Sequence, residues 1–291
     1  MSKTERGRRF AGFLFLALLS LSVFCLCSPP VGKDRAESPG LRVVSLVPSI
    51  TEIVYCLGAE KNLVGNTNQC DYPEEAKRVY KVGDFQMPDM ERITALKPTL
   101  VFATLPIHRQ IIEKLSELKI AVYVSAPEDI EGVFAEIESV GVLLEKREQA
   151  KKLVTGMRRQ LDSLPKFTDT PRVYVEISYA PLMSVGRGGF INDLIRRAGG
   201  KNVFESIPVP YLTVDPEMVV KANPDVILIL HPGATASEVK ERVGWSRISA
   251  VRQSKVFTGL DEDLFFRPGP RIIEGIFLLA RIIHQGIKEE P

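Results

Sequence analysis

One phrase occurs twice in this chain, and the repetition constrains the fold more than any single residue. Asp89-Met90-Glu91-Arg92-Ile93 leads through Pro98 into the apolar run Leu100-Val101-Phe102-Ala103, and Asp215-Pro216-Glu217-Met218-Val219 leads through Pro224 into Val226-Ile227-Leu228-Ile229-Leu230. In each copy an Asp stands two residues before a Glu, and a Pro follows seven residues after that Glu. The pattern reads as a short capped helix, a turn at the proline and a buried strand. Further matches flank the phrases: Arg42-Val43-Val44 and Arg172-Val173-Tyr174 each open a strand, and Gly58 to Leu63 echoes Gly199 to Val203. A chain of 291 residues built this way is expected to form two similar α/β halves with a functional cleft between them.

Strands alternating with helices predict mainly parallel sheets covered on both faces, in two Rossmann-like lobes. In the N-terminal lobe, residues 41–143, strands are expected near 42–47, 63–67, 100–104 and 121–125, with helices near 49–58, 89–96, 107–118 and 129–143. In the C-terminal lobe, residues 166–291, strands fall near 172–178, 182–186, 226–230 and 255–258, and helices near 189–198, 216–222, 236–243 and 268–287. Between them, at 144–165, Ala150, Leu153, Val154, Met157, Leu161 and Leu164 recur at three- and four-residue steps among Lys, Arg, Glu and Gln. That spacing predicts one amphipathic helix of about 20 residues, about 30 Å long. A helix joining two lobes resists the hinge motion that a flexible linker allows, so a nearly fixed lobe separation is expected.

The net charge of +2, with no basic run interleaved with aromatics after residue 10, argues against nucleic acid as a partner. The N-terminus differs from the rest: Arg6, Arg8 and Arg9 precede an apolar run from Phe10 to Cys27. A basic segment followed by a hydrophobic one marks an export signal, so residues 1–27 read as a signal. The remainder is then expected in the periplasm or on the outer face of the cytoplasmic membrane. At about 18 residues the run also reaches the lower limit for a membrane-spanning helix, which leaves a retained anchor open. Cys25 and Cys27 are candidate lipidation sites, although Phe24 and Leu26 stand where a lipoprotein signal carries a small residue. Residues 28–40, rich in Pro, Gly, Ser and charge, read as a flexible tether. Cys56 sits in an apolar helical stretch and reads as a core thiol, whereas Cys70 lies in a loop. A disulfide between them stays open in an exported protein. Two cysteines in the folded part, no CxxC and three scattered histidines argue against a structural zinc site.

In open α/β sheets, ligands bind beyond the carboxyl ends of the strands. Those ends are Ser45 to Ser49, Asn66 to Tyr72 and Thr104 to His108 in the first lobe, and Ser178 to Ala180, His231-Pro232 and Gly259 to Arg267 in the second. Phe85, Tyr211, Phe265 and Phe266 are candidate aromatic walls, and flat aromatics with a few polar partners suit a planar macrocycle. Because Phe265 and Phe266 are adjacent, at least one should face out of any regular element. His108 and His231 each follow the repeated strand of their own lobe, where either could ligate cobalt or haem iron. Tyr72 reads mainly as part of a turn, and His284, on the last amphipathic helix, as structural. Gly186-Arg187-Gly188-Gly189 lacks the last glycine of a dinucleotide fingerprint and reads as a tight turn. Glu91 and Glu217 fall at the second position of their helices, behind Asp89 and Asp215 as N-caps. Helix-dipole stabilisation explains either glutamate alone, but accounts less well for equivalent placement in two halves that have otherwise diverged.

Arg42 to Gly58 (RVVSLVPSITEIVYCLG), Cys70-Asp71-Tyr72-Pro73, Met90 to Pro98 and Asp263 to Ile272 resemble the substrate-binding proteins of ABC importers for cobalamin, haem and ferric siderophores. Within that group the chain is most similar to cobalamin-binding proteins, and the resemblance covers essentially everything after residue 41. It implies a bilobal fold with a helical backbone, a monomer with no resident cofactor, and a permease and ATPase complex as partner. It also implies that Glu91 and Glu217 dock onto arginines of a two-fold symmetric permease. Phe85 and Tyr211 match positions where cobalamin binders carry tryptophan against the corrin, and Asp263 and Arg267 match a polar pair at the nucleotide tail. Gln69 stands where the family pattern has an aromatic, and the tryptophan expected near Thr104 is missing. Haem or a ferric siderophore is therefore the alternative cargo. An exported α/β enzyme is the remaining class, and it is disfavoured by the lack of Gly-x-Ser-x-Gly or His-Glu-x-x-His motifs and by the scarcity of histidine.

Overall fold

Val43-Val44-Ser45 offers no polar face, and all three residues are fully buried as the strand β1 (Val43–Ser45). The computed structural model, which describes residues 40–284, builds the first lobe on that strand. After it come α1 (Pro48–Cys56), β2 (Leu63–Asn66), α2 (Met90–Ala95), β3 (Leu100–Thr104), α3 (Arg109–Glu117), β4 (Ala121–Ser125) and α4 (Ile130–Leu143). All pairings in its sheet are parallel, in the order β2-β1-β3-β4. The expected export signal at 1–27, Cys25, Cys27 and the expected tether up to residue 39 lie outside the described residues. Among the described residues, no helix is long and apolar enough to cross a membrane.

The second lobe comprises β5 (Arg172–Glu176), β6 (Ser178–Tyr179), β7 (Leu182–Val185), α6 (Phe190–Arg197), β8 (Lys201–Asn202), β9 (Tyr211–Thr213), α7 (Pro216–Ala222) and β10 (Val226–Ile229). It continues with α8 (Ala236–Glu241), α9 (Ser249–Arg252), β11 (Val256–Phe257), α10 (Asp263–Phe266) and α11 (Ile272–His284). Its parallel sheet runs β8-β5-β10-β11, the same order as the first lobe when strands are counted from the start of each half. The repeated phrases occupy equivalent places, α2 into β3 and α7 into β10. Both helices end on a left-handed residue directly before the proline, Lys97 (φ 47°) and Asn223 (φ 42°). The segment near 182–186 departs from expectation, since β7 leaves the main sheet and pairs antiparallel with β6 and β9. Ala180-Pro181 forms a two-residue connection that folds β6 back on β7, with Ser178 opposite Met183, and a hairpin cannot supply a parallel strand.

The helix expected over 144–165 is shorter than its periodicity suggests. α5 (Arg147–Asp162) has 16 residues, about 24 Å of axis. Glu145 is left-handed (φ 58°) and Lys146 donates its backbone N–H to Gly141, so this turn ends α4 and delays the start of α5. Pro165 follows the other end. One hydrophobic core runs without a break through α1, α4, α5, α6 and α11 and touches both sheets. Asp193 on α6 accepts the Ile130 N–H at the start of α4 (3.1 Å) and pairs with Arg197, which also reaches Glu131 (3.2 Å). The halves are thus tied by a shared core and buried polar contacts as well as by α5, an arrangement that opposes wide opening.

Candidate functional site

Both sheets have the 2-1-3-4 strand order, so each has a crevice where the loops after its first and third strands diverge. The loops at that end of the first sheet supply Val47, Pro48 and Ser49 after β1, Thr104, Leu105 and Ile107 after β3, and Ser125 to Glu128 after β4. The long connection after β2 adds Gln69 and Phe85. Tyr211, Asp263, Phe266, Arg267 and Pro268 of the second lobe complete a cleft of about 570 Å³. That volume lies in the range of small-molecule sites.

Six of the expected ligand contacts meet in this cleft: Gln69, Phe85, Tyr211, Asp263, Phe266 and Arg267. Gln69 is fixed by accepting the Phe85 N–H at 2.7 Å. Phe266 is 40% exposed, while its neighbour Phe265 is fully buried in the hydrophobic core and is not a ligand contact. The short helix α10 turns successive side chains to different faces, so only one of the pair can reach the cleft. His108 is also excluded. Its ring is fully buried, Nδ1 accepts the Thr104 N–H (3.0 Å) and Nε2–H donates to the Phe85 carbonyl (2.6 Å). Burial pushes its pKa below the usual histidine value despite that carbonyl, so the ring is a neutral brace behind Phe85. His231 lies in a separate cavity of about 320 Å³ with Tyr179 and Arg242, where its Nε2 meets Glu176 at 2.9 Å. Neither histidine presents a free ring nitrogen to the cleft.

The polar centre of the cleft is a charge network that joins the lobes. Arg267 donates to Asp71 (2.7 Å) in the first lobe and pairs with Asp263 (2.8 Å) in its own. Glu52, buried on α1, receives two hydrogen bonds from Arg271 (3.1 and 2.8 Å) and lies 3.6 Å from Arg267. Arg271 in turn stacks on the Tyr72 ring at 3.9 Å. Burial raises Glu52 above the usual carboxylate range against the pull of both arginines. Burial is also the largest single influence on Asp71 and acts upward, but the hydrogen bond and charge of Arg267, with smaller contributions, together outweigh it and leave that carboxyl lowered. Asp263 is raised by burial, with Asp71 and Asp261 adding to the effect against Arg267. Sequence reasoning missed Glu52, Arg271 and the Ser125–Glu128 wall. A glutamate inside the apolar stretch of α1 was the available signal, because a charge buried there requires a partner.

Glu136 on α4 is a second buried carboxyl near this wall, and its Oε2 has no hydrogen-bond partner. Desolvation raises its pKa to about 7, against opposing contributions from the Ser125 hydroxyl and the Ala126 amide. Because the folded value lies above the unfolded one, the stability associated with the neutral form is complete below the unfolded pKa and is lost as pH rises through about 7. Glu136→Gln is expected to flatten the decline of unfolding free energy between the ordinary carboxyl value of 4.5 and about pH 7, and to leave the profile above that range unchanged, as read from urea titrations at several pH values. An unchanged pH profile would show that Glu136 is already ionised in the folded chain.

Glu91 and Glu217 are both exposed at the second position of α2 and α7. A helix leading back into a parallel strand begins at the carboxyl end of the sheet, so each lobe places one glutamate at the cleft end. Asp89 caps α2 by accepting the Glu91 and Arg92 N–H groups (2.9 and 3.1 Å). Asp215 makes no such side-chain bond, and Pro216 carries no N–H at the first helical position. Among the described residues, neither glutamate has a salt-bridge partner. The two cysteines reverse their expected settings: Cys56 is exposed at the end of α1 and Cys70 is buried, both as free thiols. His284 stacks on Phe167 at 3.6 Å and is structural.

A sequence pattern described as periplasmic binding protein matches residues 43–262. The chain is 34% identical over 254 residues to the uncharacterized ABC transporter substrate-binding lipoprotein YvrC of Bacillus subtilis, covering 84% of this chain and 80% of the relative. It is 32% identical to a vitamin B12-binding protein of Photorhabdus laumondii, covering 80% of this chain and 84% of that one. Among solved structures, a possible iron-binding (periplasmic solute-binding) protein from Staphylococcus epidermidis superposes with a TM-score of 0.76 at 29% identity, covering 84% of this chain and 98% of the other.

Proposed function

Because this chain belongs to the periplasmic binding protein family, we propose that it captures a corrinoid between its lobes and hands it to an ABC permease. Membership makes it an extracytoplasmic substrate-binding protein of the importer class that serves vitamin B12, haem and siderophores, with a permease and ATPase as partners, and not an enzyme. The observation that carries the finer reading is the state of charge in the cleft. Its one lining cation among the described residues, Arg267, is already shared by Asp71 and Asp263, and Glu128 adds another carboxylate. A ligand with free carboxylates, such as haem with its two propionates, would meet no uncommitted cation. A corrin edged with neutral amides instead suits Gln69, Thr104, Ser125 and the Tyr211 hydroxyl, with Phe85 and Phe266 against the ring.

Haem remains the second reading because Tyr211 brings a phenol to the cleft. Burial raises that phenol's pKa, which opposes ligation as a phenolate. We further infer that Cys25 or Cys27 anchors the chain through a lipid, as the word lipoprotein in the Bacillus relative's name suggests, that the protein acts as a monomer, and that Glu91 and Glu217 meet the permease. Calorimetric and absorbance titrations with cyanocobalamin, haemin and a ferric hydroxamate siderophore test the cargo. Cyanocobalamin is expected to bind with micromolar or tighter affinity and haemin at least about tenfold more weakly, a gap of about 1.4 kcal/mol. Tighter haemin binding with a Soret shift would replace the corrinoid reading. No binding of any of the three at micromolar concentrations would remove it.

A further inference from the structure

Among the described residues Lys81 forms no salt bridge, yet its ammonium makes four hydrogen bonds. Nζ donates to the Asn66 side-chain oxygen at 2.8 Å and to the backbone carbonyls of Thr67, Cys70 and Ala76 at 3.0, 3.0 and 3.2 Å. All four of those residues are buried. Among the described residues Asn66 Oδ1 has no other donor, and the Asn66 amide N–H₂ spans the same loop to Ala76 (3.0 Å). A cage of neutral oxygens around a compact cation is the kind of site that otherwise takes the place of an ion's hydration shell. The spacing suits an ammonium or potassium ion, and here the cation is tethered to the chain.

The caged loop is also the cleft wall. Asn66 forms an isolated parallel bridge to Lys81 through the Asn66 N–H to Tyr80 and the Val82 N–H to Asn66, at 3.0 and 2.9 Å. Further along, the Asn68 N–H reaches Gly83 (2.9 Å), the Asn68 side chain reaches Asp84 (2.7 Å) and Gln69 accepts from Phe85 (2.7 Å). Gln69, Asp71 and Phe85 therefore take their places from a two-sided loop whose buried carbonyls converge on the Lys81 ammonium. We propose that Lys81 is the positioning residue of the binding cleft, a built-in monovalent cation that folds the loop from Asn66 to Ala76 so that Gln69 and Phe85 face the ligand and Asp71 meets Arg267. This rests on the cleft being the ligand site, but the cage itself can be tested without a ligand.

The test is hydrogen–deuterium exchange of the full chain carrying Lys81→Ala, which removes the ammonium and leaves space in the cage. Amides between residues 66 and 76 are expected to exchange at least about tenfold faster than in the parent, the scale of losing charge-assisted hydrogen bonds, while the second lobe is unchanged. Millimolar ammonium or potassium chloride should restore protection, and choline chloride should not. Cyanocobalamin affinity in the variant should fall and return with the same salts. Unaltered exchange in the loop, acceleration spread evenly over both lobes, or equal behaviour in ammonium and choline would each overturn the proposal. If the parent binds no cyanocobalamin, the cargo reading fails on its own and the exchange result still decides the role of Lys81.

Discussion

Glu176→Ala is expected to lower the unfolding free energy by about 3–5 kcal/mol, the usual cost of breaking a buried ion pair from one side. Glu176 ends β5 with no exposed surface, and every donor around it is committed to it. Arg242 gives two hydrogen bonds (2.6 and 2.8 Å), His231 Nε2 lies at 2.9 Å, and the Tyr174 hydroxyl donates at 3.2 Å. Burial, reinforced by the nearby Glu176 charge, holds the Tyr174 phenol in its protonated form, so it can only donate here. The Arg242 guanidinium lies over the rings of Tyr179 and Trp245, at 4.8 and 4.6 Å, and its side chain is only 14% exposed, so most of its charge stays desolvated once the carboxylate is gone. The effect should appear as a lower urea midpoint at unchanged m-value. Glu176→Leu combined with Arg242→Met should recover most of the loss, because removing both charges leaves no stranded ion. A loss below about 1 kcal/mol in the single variant would mean that water or a rearranged side chain replaces Glu176.

The sequence exposed most of the architecture because parallel sheets buried on both faces demand continuous apolar runs, and those runs recur in matching order. Val226 to Ile229 is such a run and forms the expected strand. Lys201-Asn202 is not, and the strand that flanks β5 in the second sheet could not be found by hydrophobicity. Leu182 to Val185 is apolar enough for a sheet interior, but the turn at Ala180-Pro181 decides its partner. At the site, the strand-end rule pointed to the first-lobe loops and to Asp263–Arg267, since it depends only on topology, but Tyr179, His231 and Pro232 line a separate cavity. It failed for side-chain direction: Phe265 and Phe266 differ by one position and fall on opposite sides of the core boundary. It failed similarly for His108, where two backbone groups four residues before it and in another loop capture the ring. Pairings such as Glu52 with Arg271, 219 positions apart, leave no local trace beyond an isolated charge in an apolar helix.

Replacing both Glu91 and Glu217 with alanine is expected to reduce ligand uptake to below about a tenth of the parent rate while leaving ligand affinity intact. The scale follows from couplings of about 1.5–7 kcal/mol measured for close charge pairs at interfaces, with 1.4 kcal/mol corresponding to tenfold. Both carboxylates are exposed and neither belongs to the cleft lining, so the ligand contacts proposed for Phe85, Tyr211 and Arg267 should survive the change. Each stabilises its own helix through the dipole by only about 0.3–1 kcal/mol, so unfolding cannot mimic the loss. The single variants should differ from the double. On the proposed docking, a two-fold symmetric permease would offer the same cationic patch to each lobe, so one remaining glutamate should still steer the encounter, with transport falling less and becoming more sensitive to salt. Uptake of labelled cyanocobalamin by cells lacking the parent protein, alongside calorimetry on the purified variants, separates the two properties. Weakened ligand binding in the double variant would assign the glutamates to the cleft, and undiminished uptake would mean that the repeated Asp-x-Glu phrase is a helix start alone.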